Sequence, residues 1–180
     1  YKAFLEPSRM AIRVAINGFG RIGRMVYRIM CDDPRFDVVA VNDLAPPDSL
    51  AHLLRYDTVA GRFPHPVAVT AGGFTVKGKT LKVISEKDPT KLPWKDLGID
   101  FVVESTGKFT TREDCAKHLA QGAKKVLHTV PAKDKIDATI VMGVNDKALQ
   151  PGHQIISNAS CTTNCLAPVA KVLNDSFGIE

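Results

Sequence analysis

Residues 12–23 read IRVAINGFGRIG, an apolar segment that runs directly into a glycine-rich turn. The apolar half is typical of a buried strand, and apolar residues at helical spacing follow over residues 21–31. Gly18, Gly20 and Gly23 form a GxGxxG pattern between the two elements. In such a pattern the first glycine permits a tight turn, the second lets the backbone approach a pyrophosphate, and the third lets helix and strand pack closely. The stretch therefore predicts a dinucleotide-binding loop. The alternative is a glycine-rich turn without a ligand.

A second apolar strand, residues 38–41, follows the helix and leads to Asp43, which lies 20 residues after Gly23. A carboxylate at this point can accept hydrogen bonds from the adenosine ribose hydroxyls, and it repels a 2′-phosphate. No arginine follows within the next eleven residues to reverse that preference. The pattern favours NAD over NADP, with an ordinary turn residue as the alternative for Asp43. The intervening helix is predicted to bury one apolar face, formed by Ile22, Met25, Val26, Ile29 and Met30.

The rest of the chain continues to alternate strand and helix signals. Residues 66–84 differ, because their apolar positions alternate around Gly72-Gly73 and around Lys77-Gly78-Lys79, which favours short antiparallel strands and tight turns. The other predicted elements are a short helix capped by Ser49 and ending at Leu54, strands at 101–103, 126–130, 140–142 and 155–156, and helices at 111–120 and 161–177. This order is typical of an α/β fold, a doubly wound parallel sheet of the Rossmann type, here with a small antiparallel insertion.

Composition excludes several other classes of protein. The chain has 180 residues, 44% of them hydrophobic and 24% charged, as in an ordinary globular domain. No stretch approaches the roughly 18 apolar residues of a membrane span. The net charge is +5, but lysine and arginine are scattered rather than clustered. We interpret the charge as a solvated surface suited to anionic ligands, and RNA binding as the weaker alternative.

The four cysteines stand at positions 31, 115, 161 and 165. Their spacing matches no zinc pattern, and without a secretion signal it indicates no disulfide framework. A reducing, cytoplasmic setting and no metal site are therefore expected. Cys31 and Cys115 fall inside helical or apolar patterns and are interpreted as structural.

The segment SNASCTTNC, residues 157–165, is the most specific in the chain. It predicts a strand end, a short polar turn and then a helix that begins at Cys161. Free N–H groups and the dipole at a helix N-terminus favour a thiolate, and Ser160 and Thr162 add hydroxyl groups beside it. These residues predict nucleophilic catalysis at a carbonyl, with an inert buried cysteine as the alternative. Cys165, one turn further along, is interpreted as a packing residue.

Five segments together resemble the glyceraldehyde-3-phosphate dehydrogenase family, from about residue 11 to residue 180. They are Ile16–Arg24, Val41–Leu44, Val103–Gly107, Met142–Asn145 and Ser157–Ala167. The resemblance implies oxidative phosphorylation of glyceraldehyde 3-phosphate, a triose phosphate, with NAD and inorganic phosphate. It also implies a cytoplasmic homotetramer when the protein is full length. The alternatives are erythrose-4-phosphate dehydrogenase, which commonly carries glutamate at the position of Asp43, and a non-catalytic NAD-binding module.

The resemblance also implies which residues bind the cofactor: Asn17, Gly18, Phe19, Gly20, Arg21, Ile22, Asp43, Lys87, Ser105, Thr106, Gly107, Phe109 and Thr129. Arg21 and Ile22 are placed on the pyrophosphate. Thr129 stands near the nicotinamide, where the family usually has serine. Lys87 replaces an arginine and keeps the charge without the planar fork that could lie against adenine.

For catalysis, the resemblance implies Cys161 as the nucleophile, with Ser160 and Thr162 in the inorganic-phosphate site. His128 belongs to a segment, HTVP, that stands where the family usually has ISAP. We interpret this histidine as a filler of an apolar position, and a general base as the alternative. Met10 looks like a natural start, so residues 1–9 are interpreted as a leader. Residues 10–158 are then the NAD-binding domain, and residues 159–180 begin a catalytic domain that is otherwise absent.

A polypeptide limited to residues 1–180 is predicted not to turn over glyceraldehyde 3-phosphate at a useful rate. In the family, the general-base histidine and the substrate-phosphate arginine follow beyond the positions that match this chain. A positioned general base contributes about 10²- to 10⁴-fold in rate. The measurement is NADH formation by the purified polypeptide. Turnover of about 1 s⁻¹ or more, in the ordinary range of enzymes, would contradict the prediction and point to His128 as a base.

Overall fold

Residues 11–180 are described by the structure, a computed structural model, and residues 1–10, which include the predicted leader, lie outside the described residues. The strands are β1 Ile12–Asn17, β2 Phe36–Asn42, β3 Val67–Thr70, β4 Gly73–Val76, β5 Lys79–Ile84, β6 Phe101–Glu104, β7 Lys125–His128, β8 Ala138–Thr139 and β9 Ile155–Ser157. The helices are α1 Arg21–Met30, α2 Pro47–Arg55, α3 Arg112–Ala120 and α4 Cys161–Phe177. Within residues 11–180, no helix has the length and apolar character that crossing a membrane requires.

All the strands join one sheet in the order β3-β4-β5-β2-β1-β6-β7-β9-β8. The six strands from β5 to β9 in this order are parallel, and by position along the chain they follow the 3-2-1-4-5-6 order of dinucleotide-binding domains. β4 pairs antiparallel with both β3 and β5. The predicted fold class is therefore confirmed. The antiparallel hairpin does not form a separate layer, because it extends the main sheet through β5.

A hydrophobic cluster covers each face of the sheet. Successive residues of a strand point to opposite faces, and Val14 and Ile16 accordingly join one cluster while Ala15 joins the other. The first cluster contains the buried rings of Phe19, Tyr27 and Phe74, and the second contains Trp94 and Val102. Cover on both faces explains why the central strands are almost continuously apolar.

Several predicted elements differ from the observed ones in their bounds; the strand predicted at residues 126–130, for example, is β7, which ends at His128. Residues 140–142 do not form a strand, because the chain turns there and the side chain of Asn145 accepts a hydrogen bond from the Val141 N–H at 2.8 Å. The strand at this edge, β8, ends just before that turn. α2 begins at Pro47 rather than after a Ser49 cap. Proline suits the first turn of a helix, since its fixed φ is helical and its missing N–H would lack a partner there anyway.

The buried face of α1 agrees with the predicted one only in part, since Val26 and Met30 pack against the first hydrophobic cluster but other predicted positions do not. Ile22 and Ile29 are 51% and 73% exposed, and the buried positions are Gly23, Arg24 and Tyr27. The cause is a backbone contact: a Cβ at Gly23 would lie 2.2 Å from the carbonyl oxygen of Gly18. Because residue 23 must face β1, residue 27, one turn later, faces the core as well. The spacing of apolar residues alone does not contain this constraint.

Gly23→Ala is expected to lower the free energy of unfolding by about 1–3 kcal/mol, the usual cost of overpacking. Gly20→Ala is the matched control, because no atom lies within 4 Å of a Cβ at that position. Its stability should stay unchanged or rise slightly, since alanine restricts the unfolded chain. Urea unfolding of both variants measures the difference. Equal losses would contradict the assignment of Gly23 as the contact glycine.

Candidate nucleotide and thiol sites

The glycine-rich turn joins the carboxyl end of β1 to the start of α1. The Gly18 N–H donates to the Asn42 carbonyl at 2.8 Å, and the first helical bond runs from the Arg24 N–H to Gly20 at 3.0 Å. The N–H groups of residues 21–23 therefore precede the hydrogen-bond ladder of α1. Gly20 is exposed, with open space where a side chain would be. Free N–H groups, the helix dipole and this open backbone together fit a pyrophosphate.

Asp43 lies directly after β2 and braces this turn. One carboxylate oxygen accepts from the Phe19 N–H at 2.8 Å, and the other accepts from the Ala45 N–H at 3.0 Å. The side chain is partly exposed, and each carboxylate oxygen can accept a further hydrogen bond. The position suits the predicted contact with ribose hydroxyls. It also gives Asp43 a structural task in the glycine loop that the sequence did not indicate.

Residues 105–107 form the loop that follows β6. The Ser105 hydroxyl donates to the Gly18 carbonyl at 2.6 Å. This predicted cofactor residue is therefore hydrogen-bonded to the glycine turn. Both the N–H and the hydroxyl of Thr106 donate to the carboxylate of Glu104. Gly107 has a φ of +70° and is exposed. The loop after β6 is thus held against the glycine turn by side-chain hydrogen bonds.

Phe19 and Arg21, two other predicted cofactor-binding residues, contribute their backbone rather than their side chains to the glycine turn. The ring of Phe19 is fully buried and contacts the ring of Tyr27, with centroids 5.8 Å apart. The Arg21 guanidinium donates to the Asp57 carboxylate at 3.0 and 3.2 Å. A side-chain contact between Arg21 and pyrophosphate would require that pair to open, whereas the backbone N–H of Arg21 is already in place. Ile22 is also predicted to contact the pyrophosphate, and its side chain is exposed next to Arg21.

The remaining predicted cofactor residues lie along the same edge of the sheet. Lys87 is exposed and lies in the turn that follows β5. The residue before it, Glu86, donates its N–H to the Asn42 side chain at 2.9 Å. Phe109 is half-buried. Thr129 donates both its N–H and its hydroxyl to the Glu104 carbonyl, at 3.1 and 3.2 Å. The structure thus brings all three to loops at the carboxyl ends of parallel strands, β5, β6 and β7.

A strained turn connects β9 to α4. Ala159 has a φ of +58°, in the left-handed region that disfavours a side chain. Ser157 clamps the turn from one side: its hydroxyl accepts from the Ala159 N–H at 3.0 Å and donates to Val130 at 2.8 Å. Asn164 clamps it from the other side by donating to the carbonyls of Asn158 and Ser160, at 2.7 and 2.9 Å. These bonds hold the chain in the conformation that leads into α4.

Cys161 is the first residue of α4, as the sequence predicted, and its side chain is exposed. Ser160 caps the helix by accepting from the Thr163 N–H at 2.9 Å, and its hydroxyl lies 3.0 Å from that of Thr162. The thiol therefore stands among hydroxyl groups and free N–H groups at the positive end of a 17-residue helix. Such surroundings can bind an anionic group such as a phosphate.

The other three cysteines differ in environment. Cys165 is exposed, so the predicted packing contact is not found within residues 11–180, where no residue of α4 is buried. Burial raises the pKa of the Cys115 thiol to about 12. Burial, followed by the charge of Asp32, also raises the pKa of Cys31, which is half-buried. Cys31 and Cys115 are therefore thiols rather than thiolates at neutral pH.

A row of polar residues that the sequence did not predict crosses the sheet at the carboxyl ends of its strands. Asn42 and Glu104 flank Asn17 in register on its two sides, and beyond Glu104 the row continues with His128 and Ser157. All five are buried. A polar residue at the end of each apolar strand was visible in the sequence, but only strand register shows that these residues are neighbours. We call these five residues the polar row.

His128 occupies its place in the row as a buried side chain. Its Nε2 atom has no hydrogen-bond partner within the described residues, and desolvation lowers the pKa of the ring. The ring is therefore neutral at physiological pH. Burial agrees with the interpretation of His128 as a filler of an apolar position.

One group of metal-type side chains comes together at the opposite end of the sheet. In the part of the chain that is described, Cys31, Asp32 and His65 each place a potential ligand atom within 4.8 Å of the others. The same Asp32 oxygen is bonded to His65 Nε2 at 2.7 Å and to the ammonium of Lys77 at 2.6 Å. Lys77 thus takes the place of a cation, and we describe the group as an ion-pair cluster.

Fold and loop geometry place the chain among the dinucleotide-binding domains of dehydrogenases. Comparison with known families narrows this class. A family model described as "Glyceraldehyde 3-phosphate dehydrogenase, NAD binding domain" matches residues 12–112, and one described as "Glyceraldehyde 3-phosphate dehydrogenase, C-terminal domain" matches residues 160–180. The chain therefore belongs to the glyceraldehyde 3-phosphate dehydrogenase family, and NAD is the cofactor of its nucleotide-binding domain.

Curated relatives agree along almost the whole chain. It is 57% identical over 171 residues to the glyceraldehyde-3-phosphate dehydrogenase of Geobacillus stearothermophilus, covering 94% of this chain and 51% of that protein. The corresponding protein 1 of Bacillus subtilis is 58% identical over 172 residues, with 95% and 51% covered. That of Thermotoga maritima is 57% identical over 169 residues, with 93% and 50% covered. The chain thus spans about half the length of the curated relatives it matches.

Asp43→Asn is expected to weaken NAD binding by roughly ten- to hundred-fold, because charged hydrogen bonds of this kind contribute about 1.5–3 kcal/mol. NADP binding should not weaken, since the carboxylate that repels a 2′-phosphate is gone. Asparagine keeps an oxygen to accept from the Phe19 N–H, but its NH₂ group then faces the Ala45 N–H. The prediction therefore concerns the loss of NAD affinity relative to that of NADP, because damage to the turn would affect both cofactors. Titration calorimetry with both cofactors measures the effect. Equal weakening of the two would contradict the ribose contact.

Proposed function

We propose that this chain supplies the NAD-binding domain and the catalytic thiol of a phosphorylating glyceraldehyde-3-phosphate dehydrogenase. The reaction converts glyceraldehyde 3-phosphate, NAD and inorganic phosphate into 1,3-bisphosphoglycerate and NADH. The observation that carries the proposal is the exposed Cys161 at the N-terminus of α4, on the same sheet edge as the glycine turn. β1 and β9 are three strand spacings apart, about 14 Å, so a dinucleotide bound at the turn can extend along the edge towards the thiol.

The first step is attack of the Cys161 thiolate on the aldehyde carbon, which forms a C–S bond. Protonation of the carbonyl oxygen gives a hemithioacetal. NAD, when bound, would supply the hydride acceptor. The carbon would give up its hydride and the hydroxyl its proton, which would leave a thioester on Cys161. An oxygen of inorganic phosphate then attacks the thioester carbon. The C–S bond breaks, the acyl phosphate leaves, and the thiolate is restored.

Ser160 and Thr162 are proposed to bind the attacking phosphate. Their hydroxyl groups lie 3.0 Å apart beside the thiol, and both stand where the N–H groups of α4 point outwards. A phosphate held there would be within reach of a carbon bonded to Cys161. The same N–H groups and hydroxyls would stabilise the oxyanion that forms during attack.

The proton acceptor of the reaction is assigned to a residue outside those described. His65 is paired with Asp32, and His153 accepts from the Gln150 N–H at 3.2 Å. His118 and His128 are buried in the domain. The ring of His52 lies 5.0 Å from that of Tyr56. Within residues 11–180, therefore, no histidine is hydrogen-bonded to the Cys161 thiol, which supports the expectation that residues 1–180 alone do not turn over.

The domain boundary is proposed to fall in the strained turn between β9 and α4. Residues 10–158 would form the NAD-binding domain, and residues 159–180 the first helix of the catalytic domain. Exposed apolar side chains run along α4 and would be covered by the rest of the whole protein: Leu166, Val169, Val172 and Leu173. We further propose that the whole protein is a cytoplasmic homotetramer whose partners are small molecules, with neither membrane nor nucleic acid among them.

Cys161 is expected to be the most reactive of the four thiols. Limiting iodoacetamide near neutral pH, followed by peptide mapping, should label Cys161 first and Cys165 more slowly. Cys115 should stay unlabelled, because its raised pKa keeps it protonated. Preferential labelling of Cys165 would show that the helix dipole does not activate residue 161.

The activity test uses the full-length protein that contains this chain, together with two matched variants of it. Cys161→Ser should abolish NADH formation from glyceraldehyde 3-phosphate, whereas Cys165→Ser should retain most of it. Faster turnover of erythrose 4-phosphate would assign the chain to the alternative substrate. NAD binding without turnover of either aldehyde would identify a non-catalytic module.

A further inference from the structure

Glu104 places a carboxyl group at the centre of the domain, where no lysine or arginine of the described residues forms an ion pair with it. Its side chain is fully buried at the carboxyl end of β6. One carboxylate oxygen accepts from the N–H of Thr106 at 2.9 Å and from the hydroxyl of the same residue. The other accepts from the amide of Asn17 and is bonded to Nε2 of His118 at 3.0 Å. The carboxylate is therefore surrounded by hydrogen-bond donors.

The protonation state of His118 follows from its second neighbour. The indole N–H of Trp94 can only donate, and it lies 3.0 Å from Nδ1 of His118. Nδ1 must therefore be the acceptor, and the single ring proton sits on Nε2, facing Glu104. A doubly protonated ring would set two donors against each other. All three side chains are buried, so water does not offer an alternative partner.

On the other side of Glu104, the polar row continues towards the adenine side. The side-chain oxygen of Asn17 accepts from the side-chain amide of Asn42 at 2.7 Å. Asn42 also donates to the Glu86 carbonyl and accepts from the Glu86 N–H, both at 2.9 Å. Asn42 thus reaches the turn that holds Lys87, while Glu104 holds the loop of Thr106. One continuous chain of hydrogen bonds connects the loops that follow β1, β2, β5 and β6.

We propose that Glu104, oriented by His118 and Trp94, is a positioning residue for NAD. Its side-chain oxygens accept hydrogen bonds from Thr106 and Asn17, and through them it holds the nucleotide-binding loops in their binding conformation before NAD arrives. The proposal rests on NAD binding by this domain and is independent of thiol chemistry at Cys161. Binding then requires little ordering of the loops, which is the cost that pre-organisation removes.

The geometry explains why a neutral isostere cannot replace Glu104. Glutamine would put an NH₂ group where one carboxylate oxygen now accepts two bonds. At the Thr106 position it would face a backbone N–H that cannot be reversed. At the other position it would face Asn17 and His118. Asn17 cannot turn its amide without losing Asn42, and His118 cannot move its proton to Nδ1 because the Trp94 N–H is there.

Three variants test whether Glu104 positions the loops for NAD. Glu104→Gln should weaken NAD binding by roughly ten- to hundred-fold, since leaving a buried donor without an acceptor costs about that much. Glu113→Gln, an exposed position on α3, removes the same charge and should bind NAD like the wild type. Thr106→Val keeps the volume and the backbone N–H but loses the hydroxyl, and should weaken NAD binding several-fold. Calorimetry on protein shown to be folded by circular dichroism gives each dissociation constant.

The decisive test adds Trp94→Phe to the Glu104→Gln variant. Without the indole N–H, His118 can carry its proton on Nδ1 and accept from the glutamine NH₂. The double variant should therefore bind NAD more tightly than Glu104→Gln alone, although Trp94→Phe by itself removes a hydrogen bond. A merely structural role would make the two substitutions additive or worse.

Three results would overturn the proposal. The first is an NAD dissociation constant for folded Glu104→Gln within twofold of the wild type. The second is a double variant no better than Glu104→Gln. The third, which applies if Glu104→Gln does not fold, is unchanged NAD binding by Thr106→Val. Iodoacetamide labelling of Cys161 is measured in parallel, so that loss of the thiol site is distinguished from loss of loop positioning.

Discussion

Hydrogen bonds among buried polar groups at the carboxyl edge of the sheet organise the loops around the nucleotide site, although the Nε2 atom of His128 has no partner within the described residues. Five strands end in the polar row, with Glu104 at its centre. An unpaired group in such a place would cost several kcal/mol, roughly the margin of a marginally stable domain. The loops beyond the strands therefore take the conformations that complete these hydrogen bonds. The contact between Gly18 and Gly23 sets the angle at which α1 leaves the same edge.

The two candidate sites are held by different physical means. At the nucleotide turn, satisfied hydrogen bonds from Asp43, Ser105 and Glu104 fix the backbone, and no side chain fills the space above Gly20. At the thiol turn, a residue with a side chain adopts a positive φ, and Ser157 and Asn164 restrain it. The first arrangement suits reversible binding of a large ligand. The second keeps one sulfur atom at a fixed place beside a helix N-terminus.

Sequence alone predicted what depends on neighbours along the chain. The glycine turn, the antiparallel hairpin and the start of α4 at Cys161 follow from local spacing, and all three are confirmed. Errors arose where distant contacts decide. Ile22 and Ile29 face solvent because Gly23 must face β1, and residues 140–142 turn because Asn145 caps them. The pairing of Glu104 with His118 was not predicted, because the two residues are 14 positions apart and meet only when α3 packs against the sheet.

Trp94 is the only tryptophan in the sequence, and it is fully buried with its indole nitrogen bonded to His118. Ultraviolet emission from tryptophan in this chain therefore originates at a single point, one hydrogen bond away from the ring that touches Glu104. Emission wavelength and intensity depend on the polarity and the hydrogen bonding around the indole. The domain thus contains an intrinsic optical probe beside the centre of its polar row, and a change at the row can be followed in solution without any attached label.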